Sequence, residues 1–153
     1  MAKLKVGVYS FTCCEGCVVT LIEALNKNFD KWTSRIDFVD FRALRPFKKV
    51  SKTDVAFCEG AISTESEVNK LKNVRANTKK LIAFGSGAVT GYPSDQRNKF
   101  SAKKLKEIAG DLKKFHQIAK VSPIKNFVKV DDEINGCPVN EADVVKKIEE
   151  LLR

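Results

Sequence analysis

Histidine is nearly absent from this 153-residue chain, which has His116 alone. A zinc site at Cys14-x-x-Cys17 needs a second close pair of Cys or His ligands, and none is present. Apolar runs are short as well. None approaches the roughly 18–20 residues needed to span a bilayer, so no membrane span is expected. The N-terminal residues enter an apolar run without a signal-peptide layout or a twin arginine, which predicts a cytoplasmic, reducing location. Phosphate-binding signatures are missing too. No Gly-Lys-Ser/Thr occurs, and Gly85-x-Gly87-x-x-x-Gly91 lacks the dinucleotide spacing, so nucleotide binding is not expected. With no repeat, linker or low-complexity stretch, residues 1–153 read as a single domain.

What is present is an ordinary globular composition, 43% apolar and 31% charged, with a net charge of +9. Acidic residues intersperse the lysines of the helical stretches, and no aromatic-plus-basic stacking motif appears, so nucleic acid is not the expected partner. The surplus charge reads as a solvated face or as complementarity to an acidic protein.

Apolar, β-branched runs predict buried strands at Leu4–Tyr9, Asp54–Cys58 and Leu81–Phe84, and the alternation of Ile36–Phe41 predicts a more exposed one. Helices are expected at 17–25 and after Thr64, where Thr64 and Glu67 have capping-box spacing and Val68, Leu71 and Val74 share a side. A lysine-rich helix is expected at 102–115, a short extended piece at Phe127–Val130, and a closing helix capped by Asn140. Buried strands alternating with helices indicate an α/β fold, an open parallel sheet with helices on both faces. Ligands of such folds bind outside the carboxyl ends of the strands. The loops at Cys13–Cys17, Glu59-Gly60 and Gly85–Gly91 should open on that edge, and the turn Gly136-Cys137-Pro138 can reach it.

Five cysteines, three of them within five positions at Cys13, Cys14 and Cys17, argue for metal or redox chemistry in a reducing compartment. Cys14-x-x-Cys17 alone fits zinc, a redox dithiol at a helix start, or an iron–sulfur cluster. An isolated Cys137-Pro138 favours the last, because cluster-binding runs often place proline after the final ligand.

Taken together, Cys14-x-Gly16-Cys17, Glu59-Gly60-Ala61, Gly85-Ser86-Gly87-Ala88-x-x-Gly91 and Gly136-Cys137-Pro138 resemble the small subunit of nickel–iron hydrogenases and the related cluster-bearing subunit of respiratory complex I. Pro93–Asn98 is similar to short, cytoplasmic, archaeal-type members. The resemblance implies a flavodoxin-like domain holding one proximal 4Fe-4S cluster against a large catalytic subunit, with single electrons passing to or from a separate carrier. It implies Cys14, Cys17 and Cys137 as three ligands, with Gly16, Glu59, Gly60 and Gly87 around the cluster. The fourth family ligand is a cysteine where this chain has Gly87. Cys58, at the end of its strand, is the expected replacement. Cys13 is the rival, and a site lacking a fourth ligand is the remaining option, as in a cluster-less scaffold. Glu15 and Glu59 are expected to tune the site from outside or simply to cap a helix and solvate a turn.

Overall fold

A computed structural model describes residues 2–46 and 49–153. Five strands form one parallel sheet: β1 (Leu4–Ser10), β2 (Ile36–Phe41), β3 (Thr53–Glu59), β5 (Thr78–Phe84) and β7 (Asp132–Ile134), in the order β2-β1-β3-β5-β7. With the two strands outside the sheet discounted, this is the 2-1-3-4-5 order of flavodoxin-like folds. Those two strands, β4 (Ile62–Thr64) and β6 (Gln117–Ser122), pair with each other antiparallel.

The helices are α1 (Gly16–Lys27), α2 (Phe29–Arg35), α3 (Glu65–Ala76), α4 (Ser86–Thr90), α5 (Ala102–Glu107), α6 (Ala109–Lys114) and α7 (Glu141–Leu151). They cover both faces of the sheet. Period-two alternation divides the strand side chains between two cores. Val6, Val8, Val55, Phe57, Ile82 and Phe84 meet Leu21 and Leu25 of α1, Trp32 of α2, and Val144 and Ile148 of α7. Tyr9, Ala56, Cys58, Leu81 and Ala83 meet Val68, Leu71 and Val74 of α3 and Ala88 and Val89 of α4. Each fully buried Leu or Phe contributes about 1.5–3 kcal/mol through removal from water, so two-sided burial is what holds the sheet.

Register then positions the site. Ser10 pairs with Glu59, Glu59 with Phe84, and Phe84 with Ile134, so four strands end at one level. The loops that follow all open on the same edge.

The expected α/β architecture is therefore borne out, with local differences. The fifth strand is Asp132–Ile134, not Phe127–Val130. A 3-10 turn at Ile124–Asn126 leads into Phe127, and Phe127, Val128 and Val130 pack against the second core. Pairing at the sheet is set by polar residues instead. The Leu81 amide donates to Asp131 Oδ2 (2.8 Å), and Lys80 and Lys147 each pair with Asp132 at 3.0 Å. The lysine-rich stretch is two short helices broken at Ile108, with the poor helix former Gly110 just beyond. Asn140 caps α7 through the Ala142 amide at 2.8 Å. No helix among the described residues is long and apolar enough to cross a membrane.

Candidate metal centre

The turn after β1 is fastened to the loop after β3. Phe11 N donates to Glu59 O at 2.9 Å, and Thr12 and Ala61 exchange two backbone hydrogen bonds at 3.0 Å. This approach needs a glycine at position 60. Gly60 has φ of 96°, and a β-carbon there would lie 2.8 Å from Thr12 O and 2.9 Å from Cys13 Cβ. Thr12 is held from the other side too, since its hydroxyl donates to Glu67 Oε1 (2.9 Å) at the start of α3.

Glu59 ends β3 pointing into the first core, the side that α1 covers. Its Oε1 accepts from Cys17 N and its Oε2 from Val18 N, both at 3.1 Å. Two amides of the first turn of α1, which would otherwise lack partners, are satisfied by one buried carboxylate. Burial raises the pKa of Glu59 from its usual range, and the two amides oppose that shift. Glu15, just ahead of α1, takes a left-handed conformation with φ of 61° and leaves its side chain exposed.

On the other side of α1, Gly85 N donates to Ile134 O (2.8 Å) and Ser86 N to Gly136 O (2.7 Å). These bonds bring the Cys137 turn beside the loop after β5. A β-carbon on Gly85 would collide with Cys17 Sγ. The result is a cavity of about 330 Å3 whose lining includes Cys13, Cys14, Cys17, Cys137, Gly16, Glu59, Gly60 and Gly87. Cys14 and Cys137 are exposed, Cys13 is half-buried and Cys17 is buried. Burial pushes the Cys13 thiol up to about 11 and the Cys17 thiol up to about 12, with Glu59 adding to both. A larger depression of about 760 Å3 lies beyond the ends of β1 and β2, lined by Arg42, Arg45 and Lys70 but by no cysteine. The thiols make the smaller cavity the chemical one.

Cys58 is not brought there. Fully buried, it belongs to the second core with Ala56, Leu71 and Leu81, one position out of phase with Glu59. Neighbouring residues of a strand point to opposite faces, so Glu59 and Cys58 cannot both face α1. Burial pushes the Cys58 thiol up to about 12 despite Lys70 and Arg75 nearby. The fourth thiol at the cavity is Cys13. Gly87 lines the wall and offers no donor; a β-carbon there would sit 3.1 Å from Gly60 Cα and 3.3 Å from Ala61 N. Thr12, Gly85, Gly136 and Glu67 shape the site without supplying a thiol, and Glu67 lies outside the cavity lining. In the sequence the glycines stand out as loop residues next to the cysteines, and Glu67 only as half of a capping box.

The donor set suits an iron–sulfur cluster better than a single ion. No group of three or more His, Cys, Asp or Glu among the described residues is arranged to hold a metal ion. A cluster holds its cysteine sulfurs further apart than one ion does, and cysteine thiols of the kind that line this cavity are the usual cluster donors. His116 lies exposed past α6, outside the lining.

Known proteins share this arrangement of elements. A solved chain of an NAD+-reducing [NiFe]-hydrogenase in its H2-reduced state superposes with a TM-score of 0.86 at 22% identity, covering 99% of this chain and 92% of that one. In sequence, the chain is 25% identical to sulfhydrogenase 2 subunit delta of Pyrococcus furiosus over 154 aligned residues, covering 98% of itself and 62% of that protein. It is 26% identical to the NAD-reducing hydrogenase HoxS subunit delta of Cupriavidus necator, covering 98% of itself and 79% of that protein. The chain thus spans about three-fifths of the sulfhydrogenase subunit. Residues 14–151 match the family model described as the 20 kDa subunit of NADH ubiquinone oxidoreductase, and with nearly its whole length matched the chain belongs to that family.

Proposed function

We propose that the chain is the electron-transfer small subunit of a nickel–iron hydrogenase-like oxidoreductase. In this reading residues 1–153 form one flavodoxin-like electron-transfer domain, working in the cytoplasm. One 4Fe-4S cluster sits in the thiol cavity, beside a large catalytic subunit that carries the nickel–iron centre. The carrying observation is that Cys13, Cys14 and Cys17 share one cavity with the sequence-distant Cys137. The hydrogenase subunits among the relatives support the partner and the reaction class.

Cys14, Cys17 and Cys137 are the ligands that the family pattern implies, and Cys13 completes the set in place of Cys58. When bound, the cluster supplies a one-electron couple. The chain's own residues do the rest. Glu59 fixes the direction of α1 and hence of Cys17, while Gly60 and Gly85 let the flanking backbones close in. Gly16 lies beside Cys14, where a β-carbon would meet Cys14 Sγ at 3.4 Å, an ordinary contact.

Anaerobic reconstitution is the test. The expected product is brown, absorbs broadly near the blue edge of the visible and contains about four irons per chain. Cys13→Ser should lose that iron and Cys58→Ser should keep it; the reverse would return Cys58 to the set. A colourless chain that takes up no iron overturns the electron-transfer reading. Gly87 favours one second reading, a cluster-less scaffold of the same complex. That reading expects co-purification with the large subunit and no iron in this chain.

A further inference from the structure

The surplus charge of this chain is concentrated. Between Arg97 and Lys125 lie nine of the 28 basic residues and two of the 19 acidic ones. That stretch alone has an excess of seven positive charges, against two for all the rest. In the fold it is the excursion between β5 and β7, formed by α5, α6 and β6 outside the five-stranded sheet. Neither α5 nor α6 buries a residue.

Few lysines of the excursion have an acidic partner, whereas several of those elsewhere are paired. Lys27, Lys31, Lys79, Lys80 and Lys147 each pair with a carboxylate within 3.0 Å. Within the excursion Lys104 alone pairs with a carboxylate among the described residues, and only at 3.4 Å, with Glu107. Phe100 and Phe115 stand 41% and 61% exposed, the latter with Lys114 Nζ 5.6 Å from its ring centre. The platform is nevertheless held in place. Arg97 Nη2 donates to Ile118 O at 2.9 Å, Asn98 and Val121 exchange two hydrogen bonds, and β6 pairs with β4. Its entrance adjoins the thiols, because Pro93 and Ser94 line their cavity.

We infer that this excursion is the docking face for an acidic protein, the soluble carrier with which the chain exchanges electrons. The inference rests on the electron-transfer reading above. Lysines without partners project a positive potential that steers an acidic surface and raises the encounter rate. Weak electron-transfer encounters use small interfaces, and two exposed rings give such an interface its apolar contacts. Nucleic acid fits less well. The single arginine is engaged with a carbonyl, and the lysines are point charges without the planar fork that reads bases or stacks. A membrane surface fits less well too, because Leu105, Ile108 and Leu112 are half-buried and the two exposed rings stand without the continuous apolar stripe of an inserting helix.

The test measures binding of the cluster-free chain to an acidic 2Fe-2S ferredoxin by titration calorimetry. Reversing Lys103, Lys106 and Lys113 to Glu together should raise Kd by about tenfold or more. Reversing Lys52, Lys72 and Lys146 should change it by less than about twofold. Binding should weaken by about tenfold or more from about 0.05 to 0.5 M NaCl. Equal effects of the two triple variants, or no binding to the ferredoxin, would overturn the inference. So would tighter binding of an RNA of about 20 nucleotides, or of phosphatidylglycerol vesicles, through the same lysines. Because no iron is needed, the outcomes separate. A chain that binds the ferredoxin but takes up no iron keeps the docking face and loses the electron-transfer reading; the reverse loses the docking face alone.

Discussion

Glu59 Oε1 and Oε2 each hold one amide at the start of α1. Glu59→Gln keeps one acceptor and turns an NH2 toward the other amide, leaving a buried donor unpaired. The expected cost is about 1–3 kcal/mol in denaturant unfolding, together with poorer iron retention after reconstitution. Gly87→Cys should restore iron to the Cys13→Ser variant, because it returns a thiol to the cavity wall. A β-carbon there sits 3.1 Å from Gly60 Cα, so the neighbouring backbone must give by a few tenths of an ångström to admit the side chain. Unchanged iron content in the double variant would show that position 87 does not reach the cluster. Of the residues at this site, Cys14, Cys17 and Cys137 were legible from turn positions and spacing. Cys58 stands at the strand end that opens on this edge, but the alternation of β3 turns its thiol to the face opposite Glu59. Val55, Phe57 and Glu59 fall on one face of β3, with Ala56 and Cys58 on the other, so the alternation was there to be read. What the sequence could not supply was which of the two faces α1 would cover.

At the scale of elements, α3 begins with a reciprocal cap. Glu67 N donates to Thr64 Oγ1 (3.2 Å), and Glu67 Oε2 accepts from Thr64 N (3.1 Å) and Ser63 N (2.8 Å). The same carboxylate takes the Thr12 hydroxyl, so one side chain joins α3 to the cysteine turn. Glu67→Ala should cost about 1–2 kcal/mol in unfolding free energy, and Thr64→Ser should cost little. The β5–β7 edge depends on pH. Asp131 accepts from Leu81 N at 2.8 Å and from Arg75 Nη1 at 2.5 Å, and these donors hold its carboxyl below the usual range. Its stabilisation is complete above the unfolded-state pKa near about 4 and is lost as pH falls through the lower folded value. Asp131→Asn should therefore lower stability at neutral pH by about 1 kcal/mol, given its partial exposure. It should also flatten the fall in melting temperature below pH about 4. Strands β1, β3 and β5 were legible because burial on both faces leaves an uninterrupted apolar run. β7 was not, since Asp131 and Asp132 join it to the sheet through charge. β4 and β6 were missed because three- and six-residue, largely polar strands leave no such run.

For the whole molecule, one sheet joins the two cores, and both should be lost together. Trp32, fully buried in the first core, is the only tryptophan and reports on that side. Leu21→Ala in the first core and Leu71→Ala in the second should each cost about 2–5 kcal/mol. Both should move the Trp32 fluorescence transition and the far-ultraviolet dichroism transition by the same amount. Separate transitions in the Leu71→Ala variant would mean that the α3 side opens independently. β3 is central to this cooperativity, with β1 on one side and β5 on the other.

The position of Glu59 at the end of that strand has a consequence for amide exchange with solvent. Amides in the first turn of a helix ordinarily fray and exchange quickly, because nothing within the helix bonds them. Cys17 N and Val18 N are bonded to a side chain of the most enclosed strand in the sheet. Their protons should exchange on the slow timescale of β3, through near-global opening. Val19 N, bonded locally to Glu15 O, should exchange faster than either.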